Sequence, residues 1–535
     1  MPIVKTKLSK QHQRWTLPAF GFLALSSGIL MGLTVAPVEA WFLAWIALVP
    51  LWVIVASSTP RKTKLLSALL WGSGYHGVAL AWITGVHPMM WMGVPWLASI
   101  AIALFCWAAI TLWGAALVTA WAVCITVFSR GVGTFTRVLI GVALWCGLES
   151  LWSLGPLYWT SLSYTQSPHN LIILHLGQIS GSLTVTATIV AVNGLLAEAW
   201  MRYERSEVGG RGSGKNTITL RLFASSCLLF VALHLVGFGL SSRPLVQPPE
   251  TALKVGIIQG NIPNTIKLYS EGLRRAITGY TEGYITLAEQ GVEAVLTPEG
   301  ALPFMWSEVL RTSLYTAVQE KGVTAWIGAF GEQGQNYTNS LFTLSRDGTV
   351  FSRYDKVKLV PIGEYIPFEQ VLGGLVRRLS PLEAKQVAGA PDQVFDTPFG
   401  RAIAVICYSS AFPEEVRYQA AAGGQFILSA ANNAHYSPSM PAQHHAQDTM
   451  RAIETDRWAV RATNTGYSGI VDPHGRTVWI SGLNTYELHA ETIYRRTTQT
   501  LYVRWGDWLT PLLLGLAIIS KLTSLPASKK INPLS

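Results

Sequence analysis

The sequence is short of charge. Only 13% of its 535 residues are Asp, Glu, Lys or Arg, against the roughly 25% that soluble proteins carry. That shortage excludes a disordered chain and argues against an ordinary soluble enzyme. Cysteine is scarce too: the chain has five, and Cys407 alone lies between residues 241 and 506. A disulfide framework is therefore excluded for that segment. No Cys/His spacing fits a zinc site. His444-His445 is a pair, but adjacent residues on a helix diverge, so no metal is expected. Gly210–Lys215 loosely resembles a phosphate cradle, yet it follows no strand and lacks the P-loop spacing. It reads as a flexible loop, and no cofactor is expected. Internal repeats and extended low-complexity tracts are also missing.

What the chain has instead is apolar residues, 50% of the total, and 21 Trp. The first half holds seven long apolar runs, at 17–35, 40–57, 65–86, 95–128, 136–153, 170–200 and 219–240, and an eighth lies at 507–525. Each is near or above the ~20 residues that cross a hydrocarbon core about 30 Å thick. The 95–128 run is long for one span and reads as a tilted helix or one with an interfacial extension.

Loop charge gives an orientation. Lys5, Lys7, Lys10 and Arg14 precede the first run; the next loop, around Val38 and Glu39, has no base. Arg61, Lys62 and Lys64 follow, then a loop at His87–Pro95 without any. Arg130 and Arg137 come next, then Gly155–His169 without any, then Arg202, Arg205, Arg211, Lys215 and Arg221. Lys521, Lys529 and Lys530 close the chain. This alternation places both termini in the cytoplasm and residues 241–506 outside it. It also accounts for much of the formal net charge of +10, and no basic stripe interleaved with aromatics appears, so no nucleic-acid partner is expected. Ala36-Pro-Val-Glu-Ala40 faintly resembles a signal-peptide cleavage site; the length of the run before it favours an uncleaved first span. The expected division is 1–240 as a seven-span domain, 241–506 as an outer domain, and 507–535 as the eighth span with a cytoplasmic tail.

In the outer segment strand-like runs alternate with helical ones, which predicts an α/β layered domain. Lys254–Ile258, Ala294–Thr297, Thr324–Gly328, Ala402–Cys407 and Phe426–Ser429 read as strands. Ser340–Arg346 and Thr349–Tyr354 flank Asp347-Gly348, a hairpin signal. Pro413 opens a helix with Glu414 and Glu415 in its first turn, and Gly423-Gly424 ends it. Ala442–Trp458 reads as helix and Val460–Val471 as strand.

Four of the cysteines, Cys106, Cys124, Cys146 and Cys227, lie in apolar runs and read as packing residues. Cys407 ends a strand and precedes a helix start. It is either a buried core thiol or a nucleophile displayed on a strand-to-helix turn. A nucleophile needs a base and an electrostatic partner. Glu299, after Thr297-Pro298 at a strand end, is a candidate base, or else a surface acid. Lys356, after the hairpin, could hold its ammonium near a developing oxyanion, or else is a solvated loop lysine.

Taken together, Thr-Pro-Glu299, Tyr-Asp-Lys356 and Ile-Cys407-Tyr resemble the Glu–Lys–Cys order of the nitrilase superfamily. Tyr354-Asp-Lys-Val-Lys-Leu-Val-Pro-Ile-Gly-Glu-Tyr-Ile-Pro367 and Gln259-Gly-Asn-Ile-Pro263 resemble one membrane branch of it, the apolipoprotein N-acyltransferases. The resemblance implies a multi-pass α-helical membrane domain of about eight spans. A nitrilase-like αββα sandwich would be inserted between spans seven and eight. It implies a two-step acyl transfer without cofactor or metal: Cys407 attacks an acyl ester of a membrane phospholipid, and the thioester passes its chain to the α-amine of a diacylated apolipoprotein. Glu299 would be the base, and Lys356 with the backbone N–H after Cys407 the oxyanion donors. Glu364 and Tyr408 match further active-site positions. The branch acts in the bacterial inner membrane, as a monomer.

Three positions depart from the pattern. Ser409 stands where the family has Glu, and a hydroxyl lacks that charge. Ala431-Asn-Asn-Ala-His-Tyr-Ser437 replaces a Thr-Asn-Asp-x-Trp-Phe-Gly stretch that shapes a substrate pocket. Leu268 replaces an aromatic. Two other readings stay open: a membrane-anchored amidase of nitrilase type, and a catalytically weakened homologue that binds lipids or lipoproteins.

Overall fold

A computed structural model of the chain describes residues 17–208, 213–361, 363–365, 385–434 and 436–524. The basic residues before the first apolar run, the tail with Lys529 and Lys530, and Gly209–Gly210–Arg211 lie outside the described residues, as do Ile366-Pro367 and His435.

Helices occupy every predicted run, the one in 65–86 being Arg61–Ala79, which begins with three basic residues in its first four. Four of the helices, Trp96–Phe128, Thr134–Ser153, Ser182–Arg205 and Thr217–Ser241, are long and apolar enough to cross a membrane. Leu17–Gly32, Trp41–Ala56, Leu171–Ser180 and Leu509–Ser524 are shorter apolar helices. The 95–128 run is a single 33-residue helix. Three other runs are broken where continuous helices were expected. In 65–86 the helix Arg61–Ala79 gives way to the 3₁₀ turn Ala81–Val86. In 40–57 a 3₁₀ turn, Trp41–Trp45, precedes the helix Val49–Ala56, which restarts with Pro50 in its first turn. In 170–200, Gly181 sits at φ +77° between the short helix Gly177–Ser180 and the long helix starting at Ser182. Polar residues hold this body together from inside. Asn193 receives Leu48 N at 3.1 Å and donates to Ala44 O at 2.9 Å, tying the broken segment to the long helix.

Two six-stranded sheets lie between Ser241 and the last helix. The first contains β1 (Ala252–Gln259), β2 (Ala294–Leu296), β3 (Thr324–Gln333), β4 (Asn336–Leu344) and β5 (Val350–Asp355). The second contains β6 (Phe395–Thr397), β7 (Gly400–Ile406), β8 (Ile427–Ala431), β9 (Ala459–Thr463), β10 (Gly469–Val471) and β11 (Thr477–Ile480). The last strand, β12 (Glu487–Tyr494), returns to the first sheet and pairs antiparallel with β1. The orders are β12-β1-β2-β3-β4-β5 and β11-β10-β9-β8-β7-β6. The stretch Val460–Val471, expected as one strand, is two antiparallel strands joined by a turn.

Side-chain alternation makes the layers. Leu253, Val255 and Ile257 of β1, Ala402, Ala404 and Ile406 of β7, and Val460 and Ala462 of β9 share the interior between the sheets. Ile258, Val295 and Ile327 face outward onto the helices Ser270–Glu289 and Ser313–Lys321. Ile403 and Val405 face the other way onto the helices Pro413–Ala421 and Ser439–Thr455. Helix, sheet, sheet and helix thus form four layers. The helix Ser439–Thr455 is buried from Met440 to Thr455, because its far side lies against the helical body.

Candidate functional site

Three strand ends of the sandwich converge. β2 ends at Leu296, and Thr297-Pro298 carry the chain to Glu299. Lys356 follows β5 directly, its N–H bonded to Asn339 O at 2.8 Å. Cys407 follows β7 and begins the 3₁₀ turn Cys407–Ala411 that leads to Pro413. Strand positions are rigid, so the three groups are held without loop freedom.

The charged groups form a buried network. Lys356, 1% exposed, donates from Nζ to Glu299 Oε1 at 2.8 Å and to Glu364 Oε1 at 2.7 Å. Asn339 Nδ2 donates to the same Glu299 oxygen at 2.8 Å, and Val360 N–H holds Glu364 Oε2 at 2.7 Å. Burial disfavours the Lys356 ammonium, but Glu299 and Glu364 outweigh it and hold its pKa well above the ordinary value. Cys407 is within electrostatic reach of Glu299, Lys356 and Glu364. Burial, then Glu299, push its thiol up to about 12, against the opposing pull of Lys356 and the Asn432 N–H. The resting group is therefore a thiol, and a nearby base must take its proton before it can attack.

Cys407 has φ +49°, a left-handed backbone uncommon for a side-chain-bearing residue and costing on the order of 1–3 kcal/mol. His444 secures it. Asn433 Nδ2 donates to His444 Nδ1 at 3.2 Å, so Nε2 carries the proton and donates to Cys407 O at 2.9 Å. Burial pushes the His444 pKa down to about 3, so the ring stays neutral. Tyr408 turns away from the thiol. Its hydroxyl donates to Pro156 O at 2.8 Å and accepts from Tyr158 N at 3.1 Å, and its ring lies parallel to Trp159. The residue after Cys407 thus bolts the turn to the helical body.

All five residues singled out in the sequence are accounted for: Glu299, Lys356, Glu364 and Cys407 gather at one point, and Tyr408 anchors their edge. Ser409 is buried. Beside it lies Glu415, whose carboxylate oxygens are buried without a regular hydrogen bond. Burial pushes Glu415 up to about 7, with Ser409, Lys358 and Lys356 pulling it down. A carboxyl group thus stands next to the hydroxyl that replaces one. Within the divergent stretch, Tyr436 reaches the electrostatic field of Cys407, Lys356, Glu364 and Glu299. Leu268 is exposed, while its neighbour Lys267 is buried and donates to Glu299 O at 3.4 Å. Burial brings Lys267 down to about 8, opposed by Glu299 and Cys407. Asn339, Lys267 and His444 are the groups that the sequence did not single out for this site. The buried polar run Thr338–Asn339–Ser340 ahead of Leu341-Phe342 in β4 was the available signal for the first. Among the described residues no three or more His, Cys, Asp or Glu gather as metal ligands.

Fold and site together define a carbon-nitrogen hydrolase-type enzyme domain joined to an apolar helical body. The family described as Carbon-nitrogen hydrolase matches residues 246–501, and the Apolipoprotein N-acyltransferase N-terminal domain matches 27–195. An apolipoprotein N-acyltransferase of Nostoc sp. is 64% identical over 91% of this chain and 96% of its own. One from Synechocystis sp. is 49% identical over 92% and 98%. A solved amidase from Nesterenkonia sp. matches at 20% identity and a TM-score of 0.36, over 51% of this chain and 99% of that one. The chain belongs to the apolipoprotein N-acyltransferase family and is an acyltransferase.

Proposed function

We propose that Cys407, Glu299 and Lys356 carry out lipoprotein N-acylation in two half-reactions. In the first, Glu299 accepts the thiol proton as Cys407 Sγ attacks the ester carbonyl of a membrane phospholipid. The Lys356 ammonium, kept charged by Glu299 and Glu364, and the Tyr408 N–H stabilise the oxyanion. The C–O bond then breaks, Glu299 returns the proton to the leaving lysophospholipid, and a Cys407 thioester remains. In the second, the α-amine of a diacylglyceryl-cysteine attacks the thioester. Glu299 takes the amine proton, the C–S bond breaks, and the thiol is restored. Glu364 orients Lys356. The observation that supports this reading is the buried Glu299–Lys356–Glu364 network beside a thiol held neutral at a strand end.

The chain is read as eight spans of a bacterial inner membrane. Residues 1–240 carry seven, 507–535 the eighth with its tail, and 241–506 form the catalytic domain on the extracytoplasmic side. The Lys/Arg alternation supports that orientation, with both termini cytoplasmic. One chain supplies every group of the site, so a monomer suffices.

The test is mass spectrometry of the protein after incubation with phospholipid. A fatty-acyl adduct on Cys407 is expected, released by a diacylated lipopeptide and absent from Cys407→Ala. Transfer that survives in Cys407→Ala would sink the assignment. A thioester discharged only to water would favour the amidase reading.

A further inference from the structure

A cavity lies away from Cys407. It holds about 400 Å³ at the far end of the helical body. Arg61, Lys64, Arg130 and Arg137 converge on it. Two of these cations are engaged: Arg137 pairs with Glu198 at 3.0 Å, and Lys64 Nζ donates to Val55 O at 2.6 Å. Arg61 and Arg130 line the cavity without a hydrogen bond or ion pair among the described residues. Four positive charges thus share one hollow with a single carboxylate bonded to them. Lys64 is within electrostatic reach of both Arg130 and Arg137, so they repel.

The hollow also offers backbone donors. The 19-residue helix Arg61–Ala79 begins at its rim, and its N-cap, Pro60, supplies no side-chain cap. Its first-turn N–H groups and its dipole both favour an anion. The remaining wall is apolar: Val55, Ala56, Leu65, Ala122, Val123 and Val127. An anion flanked by hydrocarbon fits this lining.

The position excludes the acyl donor. The helix Arg61–Ala79 runs about 28 Å at 1.5 Å per residue, near the thickness of a bilayer core. At its other end Ala79 O accepts from Gln443, and Leu80 packs with Ala411 and Phe412 beside the Cys407 turn. A lipid in the cavity therefore sits in the leaflet opposite the chemistry.

We propose that this cavity binds the phosphate-bearing headgroup of an anionic phospholipid, as a resident lipid and not as a substrate. The proposal rests on the membrane placement above, but its readout is lipid retention, independent of Cys407.

Full-length protein in detergent is incubated with equal amounts of dioleoyl-phosphatidylglycerol and dioleoyl-phosphatidylcholine, and retained lipid is counted by native mass spectrometry. Phosphatidylglycerol is expected to be retained about fivefold over phosphatidylcholine, and Arg61→Gln/Arg130→Gln to remove about that preference. Both arginines are exposed and unbonded, so these substitutions leave the fold intact. Lys62→Gln/Arg221→Gln, which removes two exposed charges outside the cavity, is expected to retain the preference. Equal retention of the two lipids overturns the proposal. So does an equal loss in both double variants, which would mean only a positive face. Displacement of the lipid by millimolar inorganic phosphate would assign the cavity to a soluble anion and overturn it as well.

Discussion

His444 carries no charge, yet it sets the backbone on which the nucleophile stands. It acts through the Cys407 carbonyl and is a positioning residue. In His444→Ala that carbonyl loses its buried donor and the left-handed turn loses its brace. A kcat lower by about 100-fold with KM little changed is expected, since small displacements of a reacting group are costly. The rate of Cys407 alkylation against pH should also change shape, a readout that a purely structural role would leave alone. Glu415 gives a second prediction at this scale. Its folded pKa is raised to about 7 by burial, so the folded state favours the protonated acid. That contribution is fully present below the ordinary carboxylate range near 4.5 and is lost as pH rises through about 7. Glu415→Gln should therefore match the wild type in thermal stability at about pH 4.5 and exceed it at about pH 8. Glu299, Lys356 and Cys407 were legible because each stands at a strand end next to a recognisable phrase. Asn339, Lys267 and His444 were not, because their partners lie 40, 32 and 37 positions away in the chain.

At the scale of elements, the sequence announced most strands of the sandwich but not β6, β11 and, the longest of the three, β12. Its eight residues, Glu487–Tyr494, are mostly half-buried and mix charged with apolar side chains. It is held by pairing with β1, a partner more than two hundred positions away, so no local pattern marks it. The breaks in the apolar runs were hidden for a different reason: hydropathy reports apolarity and says nothing about backbone direction. Gly181 marks one such break. At φ +77° its hydrogen faces the Tyr502 ring, and a Cβ there would lie 2.6 Å from Cε2. Gly181→Ala should destabilise by about 1–3 kcal/mol, through both strain and overlap. A lowered thermal midpoint checks it, and Tyr502→Ala in the same background should recover part of the overlap cost alone.

For the molecule as a whole, the alternation of charged loops was a long-range signal readable at sight, whereas the seam between helical body and sandwich was not. Gln443 makes four bonds across that seam, beside those of Tyr408. Gln443 donates to Ala36 O at 3.0 Å and Ala79 O at 2.8 Å, and accepts from Trp82 and Trp159 at 3.2 and 2.8 Å. Every hydrogen-bonding position of its amide is filled. Gln443→Ala leaves two carbonyls and two indoles buried and unpaired, at a cost of about 2 kcal/mol or more. Limited proteolysis should then cut at the seam, and tryptophan emission should shift, while the Glu299–Lys356–Glu364 network stays intact.

The pairing of β1 with β12 has a mechanical consequence. Ala252 lies opposite Tyr494, so the sandwich begins and ends at one point on one sheet edge. Tension between the flanking helices would therefore peel this pair apart one bond at a time, the weakest direction in which to load a sheet. The first contacts to meet such a force are those of two adjacent arginines. Arg495 grips Glu250 O, Thr251 O and Phe399 O, and Arg496 grips Val246 O and Asp456. Together they form a clasp across the entry and exit of the domain. A load passed through the flanking helices would therefore reach the sandwich with this fastening shut.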